Sequence, residues 1–159
     1  MSVKGRVVQI NVSPGGVPKL PVASARVTLE GLEGDGHRDL EHHGGPERAV
    51  CLFSLEQIRA LQAEGHPVTP GAMGEKNLTL EGVDWERVQP GAIVELGESV
   101  RIEITRYTSP CFNLKPSFVG GDFARVSQKR HPGWSRVYAK VLQPGLIRQG
   151  DPVRLLDPV

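Results

Sequence analysis

The sequence predicts a mainly β domain, a barrel or sandwich of short strands with one or two helices at its ends. Its 159 residues include 19 Gly and 13 Pro, a punctuation typical of many strands joined by turns. Residues 100–107 alternate apolar and polar side chains, as in a strand with one buried face. No repeat or linker divides the chain, so we expect one domain over residues 1–159.

The strands are expected at intervals along the whole chain. The first covers residues 6–12 and is followed by an irregular, Pro- and Gly-rich segment at 13–24 and a second strand near 25–32. A buried strand is expected at 47–53. The later strands are predicted at 100–107, at 136–142 and, after a Gln143-Pro-Gly turn, at 151–156.

One helix has a clear start. Ser54 and Gln57 have the spacing of a capping box, and Gly65 is typical of a helix end. Between them lies an apolar stripe at helical spacing, formed by Leu55, Ile58 and Leu61.

The charge balance favours a small-molecule partner. Lys and Arg total 19 and Asp and Glu total 18, which argues against a nucleic acid or an acidic membrane surface as the main partner. No apolar run approaches the roughly 18 residues of a membrane span, and the start of the chain lacks a signal-peptide core. We therefore expect a cytoplasmic protein.

Residues 33–45, EGDGHRDLEHHGG, hold three histidines, four carboxylates and four glycines. On an extended chain the alternate polar residues would share one face, which excludes this segment from the core. Asp35, His37, His42 and His43 are of types that bind zinc, but their spacing matches neither a helical zinc site nor a finger. A solvated loop and a zinc site both remain open here.

The third interpretation of this segment is a cradle for an anion. The paired glycines allow backbone N–H groups to approach a ligand closely. Rigidity and positive charge would come from the adjacent residues Pro46, Arg48 and Arg38.

The two cysteines differ in their surroundings. Cys51 lies within an apolar strand, where a free cysteine is commonly buried. Cys111 follows Pro110 beyond a half-buried strand, and the nearby cations Arg106 and Lys115 would favour its thiolate. Cys111 is thus either a reactive thiol or an incidental exposed one.

Four motifs in order resemble the MOSC family, the domain named for the C-terminal part of molybdenum cofactor sulfurases: GLEGDGHRDLEHHGGPERAV, GAMGEKNLTLEGVDW, SPC and GWSRVYAKVLQPGLIRQGD. The resemblance covers about residues 20–156. It implies a MOSC-type β-barrel similar to the barrel domain of pyruvate kinase. It also implies that Cys111 either ligates the molybdenum of a molybdopterin cofactor or carries a persulfide.

The resemblance further implies which residues form the site. His37 and His43 would act with Cys111 in catalysis, and Cys111 would be the metal ligand. The cofactor-binding set would be Asp35, His42, Gly44, Gly45, Pro46, Arg48, Asn77 and Arg106.

This chain departs from the family pattern at two positions. Lys76 separates Glu75 from Asn77, whereas many relatives have Glu directly before the Asn. Thr108 stands three residues before the cysteine, where relatives often have Arg. Either Arg106 replaces that arginine or the anionic end of the ligand is held in another way.

Three functions remain as hypotheses. The first is a molybdenum-cofactor protein that supports reduction of a small N-hydroxylated or similar substrate, with a separate reductase as partner. The second is a sulfur carrier that receives a persulfide on Cys111 from a separate cysteine desulfurase, with no pyridoxal phosphate in this chain. The third is a zinc-dependent hydrolase or binding module that uses His37, His42 and His43.

Overall fold

A computed structural model describes residues 5–12, 20–35, 46–70, 77–110 and 112–156. The strands are β1 Gly5–Val12, β2 Leu20–Val22, β3 Ser24–Thr28, β4 Gly31–Leu32, β5 Val50–Ser54, β6 Leu78–Glu81, β7 Ile93–Leu96, β8 Val100–Tyr107, β9 Val137–Gln143, β10 Gly145–Arg148 and β11 Pro152–Leu155. The α-helix α1 spans Leu55–Ala63. Short 3₁₀ turns cover Pro46–Arg48, Trp85–Arg87, Phe112–Ser117, Val119–Gly121 and Phe123–Val126.

Seven strands close into a barrel in the order β11-β7-β8-β9-β5-β6-β1, and pairing of β1 with β11 completes the ring. All neighbours in the ring are antiparallel except β5 and β6, which α1 and the chain after it connect. Strand β2 extends the sheet beyond β1, and β10, β3 and β4 form a second, smaller sheet. The mainly β barrel predicted from the sequence is confirmed.

The local signals in the sequence correspond to observed elements. Ser54 caps α1, because its hydroxyl accepts a hydrogen bond from the Gln57 N–H at 3.3 Å. Gly65 follows the helix with φ of 99°, a conformation that favours glycine. The strand expected from residue 47 begins at Val50, because Pro46 starts a 3₁₀ turn before it.

The core fills the barrel interior and the space between the barrel and α1. Along β8, Val100, Ile102 and Ile104 are buried. Cys51 is 2% exposed, which confirms its predicted burial. None of the helices in the described part of the chain is both long and apolar enough to cross a membrane.

Candidate functional site

Asn77, the residue directly before β6, forms side-chain hydrogen bonds with three segments of the chain. Its side-chain amide donates to Asp35 Oδ2 at 2.8 Å and to the Asn11 carbonyl at 3.3 Å. Its side-chain oxygen accepts from the Cys51 N–H at 3.0 Å. The residue is 1% exposed. Because both ends of the amide are engaged by protein groups, Asn77 acts here by positioning Asp35 against β1 and β5.

The described residues on either side of the three histidines contact the barrel. Asp35 is held by Asn77 at one end. At the other end the 3₁₀ turn Pro46–Arg48 follows, and the Thr105 hydroxyl of β8 donates to the Glu47 carbonyl. Pro46 is exposed and Arg48 is half-buried. Both flanks of the segment therefore reach the part of the barrel formed by β5, β6 and β8.

Around Cys51, strands β5, β9 and β8 share a face whose side chains lie outside the hydrophobic core cluster. Tyr138 of β9 pairs with Cys51 on one side and with Arg106 on the other, and residues directly opposite in an antiparallel ladder point to the same side. Cys51 and Tyr138 are buried but do not belong to the core cluster, to which their neighbours Val137 and Ala139 belong. This face, here named the β5–β9–β8 face, thus carries buried polar side chains.

The ladder continues one step beyond the ends of β8 and β9. The Thr108 N–H donates to the Arg136 carbonyl at 3.0 Å, in register with the pairing of Tyr107 and Val137. Strand alternation then places Thr108 and Arg136 on the same face as Arg106 and Tyr138. Both are buried, at 4% and 3% exposure. Thr108 lies two residues before Pro110 in the chain.

The remaining predicted residues fall into two groups. His37, His42, His43, Gly44, Gly45 and Cys111, together with Arg38, Glu75 and Lys76, lie outside the described residues, so their roles stay predictions. Arg106 lies on the β5–β9–β8 face and is exposed. Among the residues that the structure describes, no group of three or more His, Cys, Asp or Glu is arranged to hold a metal ion.

Arg136 was not predicted as a site residue from the sequence, nor were the hydrogen bonds that hold its backbone. The Ser135 hydroxyl donates to the Arg136 carbonyl at 2.7 Å, and the Trp85 indole N–H donates to the Ser135 carbonyl at 3.1 Å. The sequence signal was present but indirect, since residues 136–142 were predicted as a strand that starts with this arginine. Only the strand register places Arg136 beside Thr108.

Known proteins resemble this chain over most of its length. A family model described as "MOSC domain" matches residues 39–154. YflK, an uncharacterized protein of Bacillus subtilis, is 34% identical over 144 residues, which is 89% of this chain and 63% of YflK. YiiM of Escherichia coli is 31% identical over 152 residues, 92% of this chain and 66% of YiiM. The chain thus spans slightly less than two thirds of the length of these two relatives.

Two further similarities are informative. A Gibberella moniliformis protein named "Reductase" is 33% identical over 132 residues, 80% of this chain but 23% of that protein. The crystal structure of YiiM from Geobacillus stearothermophilus superposes with a TM-score of 0.70 at 25% identity, covering 96% of this chain and 75% of that one. With a matching family model over most of its length and relatives above 30% identity, the chain belongs to the MOSC domain family.

Proposed function

We propose that this chain binds the molybdenum cofactor, with Cys111 as the molybdenum ligand, and supports reduction of a small N-hydroxylated substrate. Membership of a family associated with that cofactor supports the first part. The relative named "Reductase" supports the second. The observation that carries the proposal is that described residues in or next to three separate motifs lie on the neighbouring strands β6, β5, β9 and β8 or directly beside them.

This meeting of motifs follows from named contacts. Asp35, which precedes the three histidines, is bonded to Asn77 of the middle motif. Asn77 in turn bonds the backbone of Cys51 on β5. Two strands further along the sheet, β8 leads through Thr108 and Pro110 to Cys111. Asp35, Asn77 and Thr108, which are successively 42 and 31 residues apart in the chain, thus lie in one region of the barrel.

The chemistry of the residues fits the cofactor. A thiolate is a soft ligand, suited to a metal already bound by sulfur, so Cys111 is the residue to hold molybdenum. The buried Thr108 hydroxyl has no hydrogen-bond partner among the described residues and offers a donor to an anionic ligand. When bound, the cofactor would supply a metal centre able to pass two electrons to the substrate.

The protein's own residues would then bind, orient and move protons. Cys111 must be deprotonated to act as a ligand. His37, His42 and His43 would orient the ligand or transfer protons, because the imidazole pKa lies near neutral pH. Reduction of an N-hydroxyl group to an amine consumes two electrons and two protons and releases water. A separate reductase protein would supply the electrons, in the cytoplasm, where both cysteines stay reduced.

The test is metal and pterin content. The chain, purified from a host that makes the cofactor, should contain molybdenum and molybdopterin near one equivalent each. Cys111→Ser should lose the molybdenum, and the matched control Cys51→Ala should keep it, provided that circular dichroism shows both variants folded. A wild-type chain without molybdenum under every loading condition would contradict the proposal.

The same preparations separate the alternatives. A sulfur carrier would be indicated by three results together. The wild type would gain the mass of one sulfur atom after incubation with a cysteine desulfurase, Cys111→Ser would not, and the wild type would contain no molybdenum. Zinc that is kept in Cys111→Ser and lost in His37→Ala would replace it with a zinc-dependent module.

A further inference from the structure

We propose that Arg136 and Thr108 form an oxyanion subsite that holds the phosphate, or an equally anionic group, of the ligand at the end of β8, three residues before Cys111 in the chain. The inference deepens the proposed function and rests on it for the identity of the whole ligand. It does not rest on it for the chemistry of the subsite, which follows from the two side chains and their surroundings.

The two side chains are neighbours across the ladder. The Thr108 N–H donates to the Arg136 carbonyl at 3.0 Å, one register step beyond the pair formed by Tyr107 and Val137. Tyr107 and Val137 pack on the core, so alternation directs Thr108 and Arg136 to the opposite side. A guanidinium and a hydroxyl are thereby adjacent, and Thr108 lies two residues before Pro110 in the chain.

The Thr108 hydroxyl is a second, independent indication of a ligand. It is buried, with Thr108 4% exposed, and it has no hydrogen-bond partner among the described residues. Buried polar atoms in proteins nearly always have partners, so an unpartnered one requires an explanation. An oxyanion oxygen that accepts from this hydroxyl would satisfy it.

Arg136 has the donor geometry for such an anion. Its planar guanidinium carries five N–H groups, so it can bind a phosphate with two parallel bonds while others contact protein. At 3% exposure it lies where competing water is scarce, which strengthens an ionic hydrogen bond. Arginine rather than lysine is favoured at partly enclosed sites for these reasons.

The backbone that carries Arg136 is held from three directions. The Thr108 N–H and the Ser135 hydroxyl both donate to its carbonyl, the latter at 2.7 Å. The Trp85 indole N–H fixes the preceding carbonyl at 3.1 Å. A backbone fixed before binding loses little entropy when the anion arrives, so the subsite is preorganised.

Arg106 is the competing cation. It lies on the same face, two residues before Thr108, but it is exposed. Exposed charges are screened by salt and bind anions weakly. The structure therefore favours Arg136 over Arg106 as the residue that compensates for the threonine at position 108.

The experiment uses the full chain without cofactor and inorganic pyrophosphate as the probe, titrated by calorimetry at low salt. Arg136→Gln should weaken binding about 10- to 100-fold, because a hydrogen bond to a charged group is lost. Thr108→Val, nearly the same size, should weaken it about 3- to 10-fold. Arg101→Gln, at the far end of β8 and paired with Glu95, is the matched control and should bind as the wild type does.

Several results would overturn the inference. One is unchanged pyrophosphate binding in both Arg136→Gln and Thr108→Val. Another is a loss in Arg106→Gln that exceeds the loss in Arg136→Gln. A third is a wild-type chain that does not bind the probe at millimolar concentration. If Arg136→Gln does not fold, Arg136→Lys, which keeps the charge but not the fork, should still weaken binding, and Thr108→Val decides alone where both fail.

Failure of this inference and failure of the proposed function give different results. The subsite alone would be rejected if Arg136→Gln takes up molybdopterin as well as the wild type does and also binds pyrophosphate normally. Pyrophosphate binding that depends on Arg136 in a chain that never takes up molybdenum supports the subsite and rejects the cofactor assignment.

Discussion

Two positions on β5 carry side chains toward the same side of the sheet and have opposite surroundings. Phe53 is fully buried in the core cluster, with its ring edge-on to Trp85 at a centroid distance of 5.9 Å. Cys51, two residues earlier, is also buried but lies opposite Tyr138, and its N–H bonds Asn77. The Phe53 half of this face is covered by apolar packing, whereas the Cys51 half is organised by hydrogen bonds.

The difference separates stability from site formation. Apolar packing is nondirectional and contributes in proportion to buried area. Buried polar groups contribute little net stability, but each one requires a partner in a fixed place. The Cys51 half therefore holds polar groups in fixed positions, and the Phe53 half stabilises the barrel wall through apolar packing.

Trp85 contacts the apolar half through Phe53 and the polar half through Ser135. Its replacement should have the largest effect on stability. Trp85→Ala removes the ring that packs on Phe53 and leaves a cavity, so we expect unfolding free energy to fall by about 3–5 kcal/mol. It also leaves the Ser135 carbonyl without the indole donor. Urea denaturation followed by circular dichroism measures the loss.

Trp85→Phe is the control that divides the two contributions. It keeps an aromatic ring against Phe53 and removes the indole N–H, so the expected loss is smaller, about 1–3 kcal/mol. Pyrophosphate binding should weaken in this variant if the bond to Ser135 positions Arg136. Equal losses of stability in the two variants would show that the apolar and polar halves are not separable at this residue.

Asn77 provides the next largest effect, on the polar half. Asn77→Ala leaves the Cys51 N–H and the Asp35 carboxylate without this amide, and we expect a loss of about 2–3 kcal/mol. Measured by the same denaturation, a loss below about 0.5 kcal/mol would contradict the role of Asn77 as the junction of the three segments.

Asn77→Asp distinguishes the bond accepted by the amide oxygen from the bonds donated by the amide nitrogen. It keeps an oxygen for the Cys51 N–H but brings a second carboxylate to the oxygen of Asp35, now 2.8 Å from the Asn77 nitrogen. Two adjacent carboxylates repel when both are ionised, so protonation favours the folded variant. The deficit of Asn77→Asp relative to the wild type should therefore shrink as the pH falls from 7 toward 4, and a deficit independent of pH would contradict this geometry.

The sequence predicted the apolar half better than the polar half, for a physical reason. Alternation at 100–107 and the cap at Ser54 are local patterns, and both were found as expected. Burial of Cys51 also followed from its apolar neighbours. The pairing of Arg136 with Thr108 depends on the register of strands 28 residues apart, and no local pattern encodes a register between distant strands.

The smallest predicted effect lies at the surface, where α1 ends. The Arg125 guanidinium donates two bonds to the Glu64 carboxylate and lies over the Trp134 ring at 4.1 Å. These hydrogen bonds, with the positive charge of Arg125, hold the pKa of Glu64 below its usual 4.5, although burial opposes the shift. Since the Glu64 side chain is 41% exposed, solvent screens the pair and we expect about 0.3–1 kcal/mol.

Glu64→Gln tests that expectation through its pH dependence. A carboxyl with a lowered pKa in the folded chain binds protons more weakly there than in the unfolded chain, so its contribution is fully present above pH 4.5. It is lost as the pH falls through the lowered value. The wild type should therefore exceed Glu64→Gln in unfolding free energy at pH 7 and match it in strong acid, as measured by urea denaturation across that range. A difference well above about 1 kcal/mol at pH 7 would contradict this expectation. The exposed pair of Glu64 and Arg125 would then stabilise the fold as much as the buried polar contacts around Asn77 do. The energetic contrast between the two halves of β5 would then no longer hold.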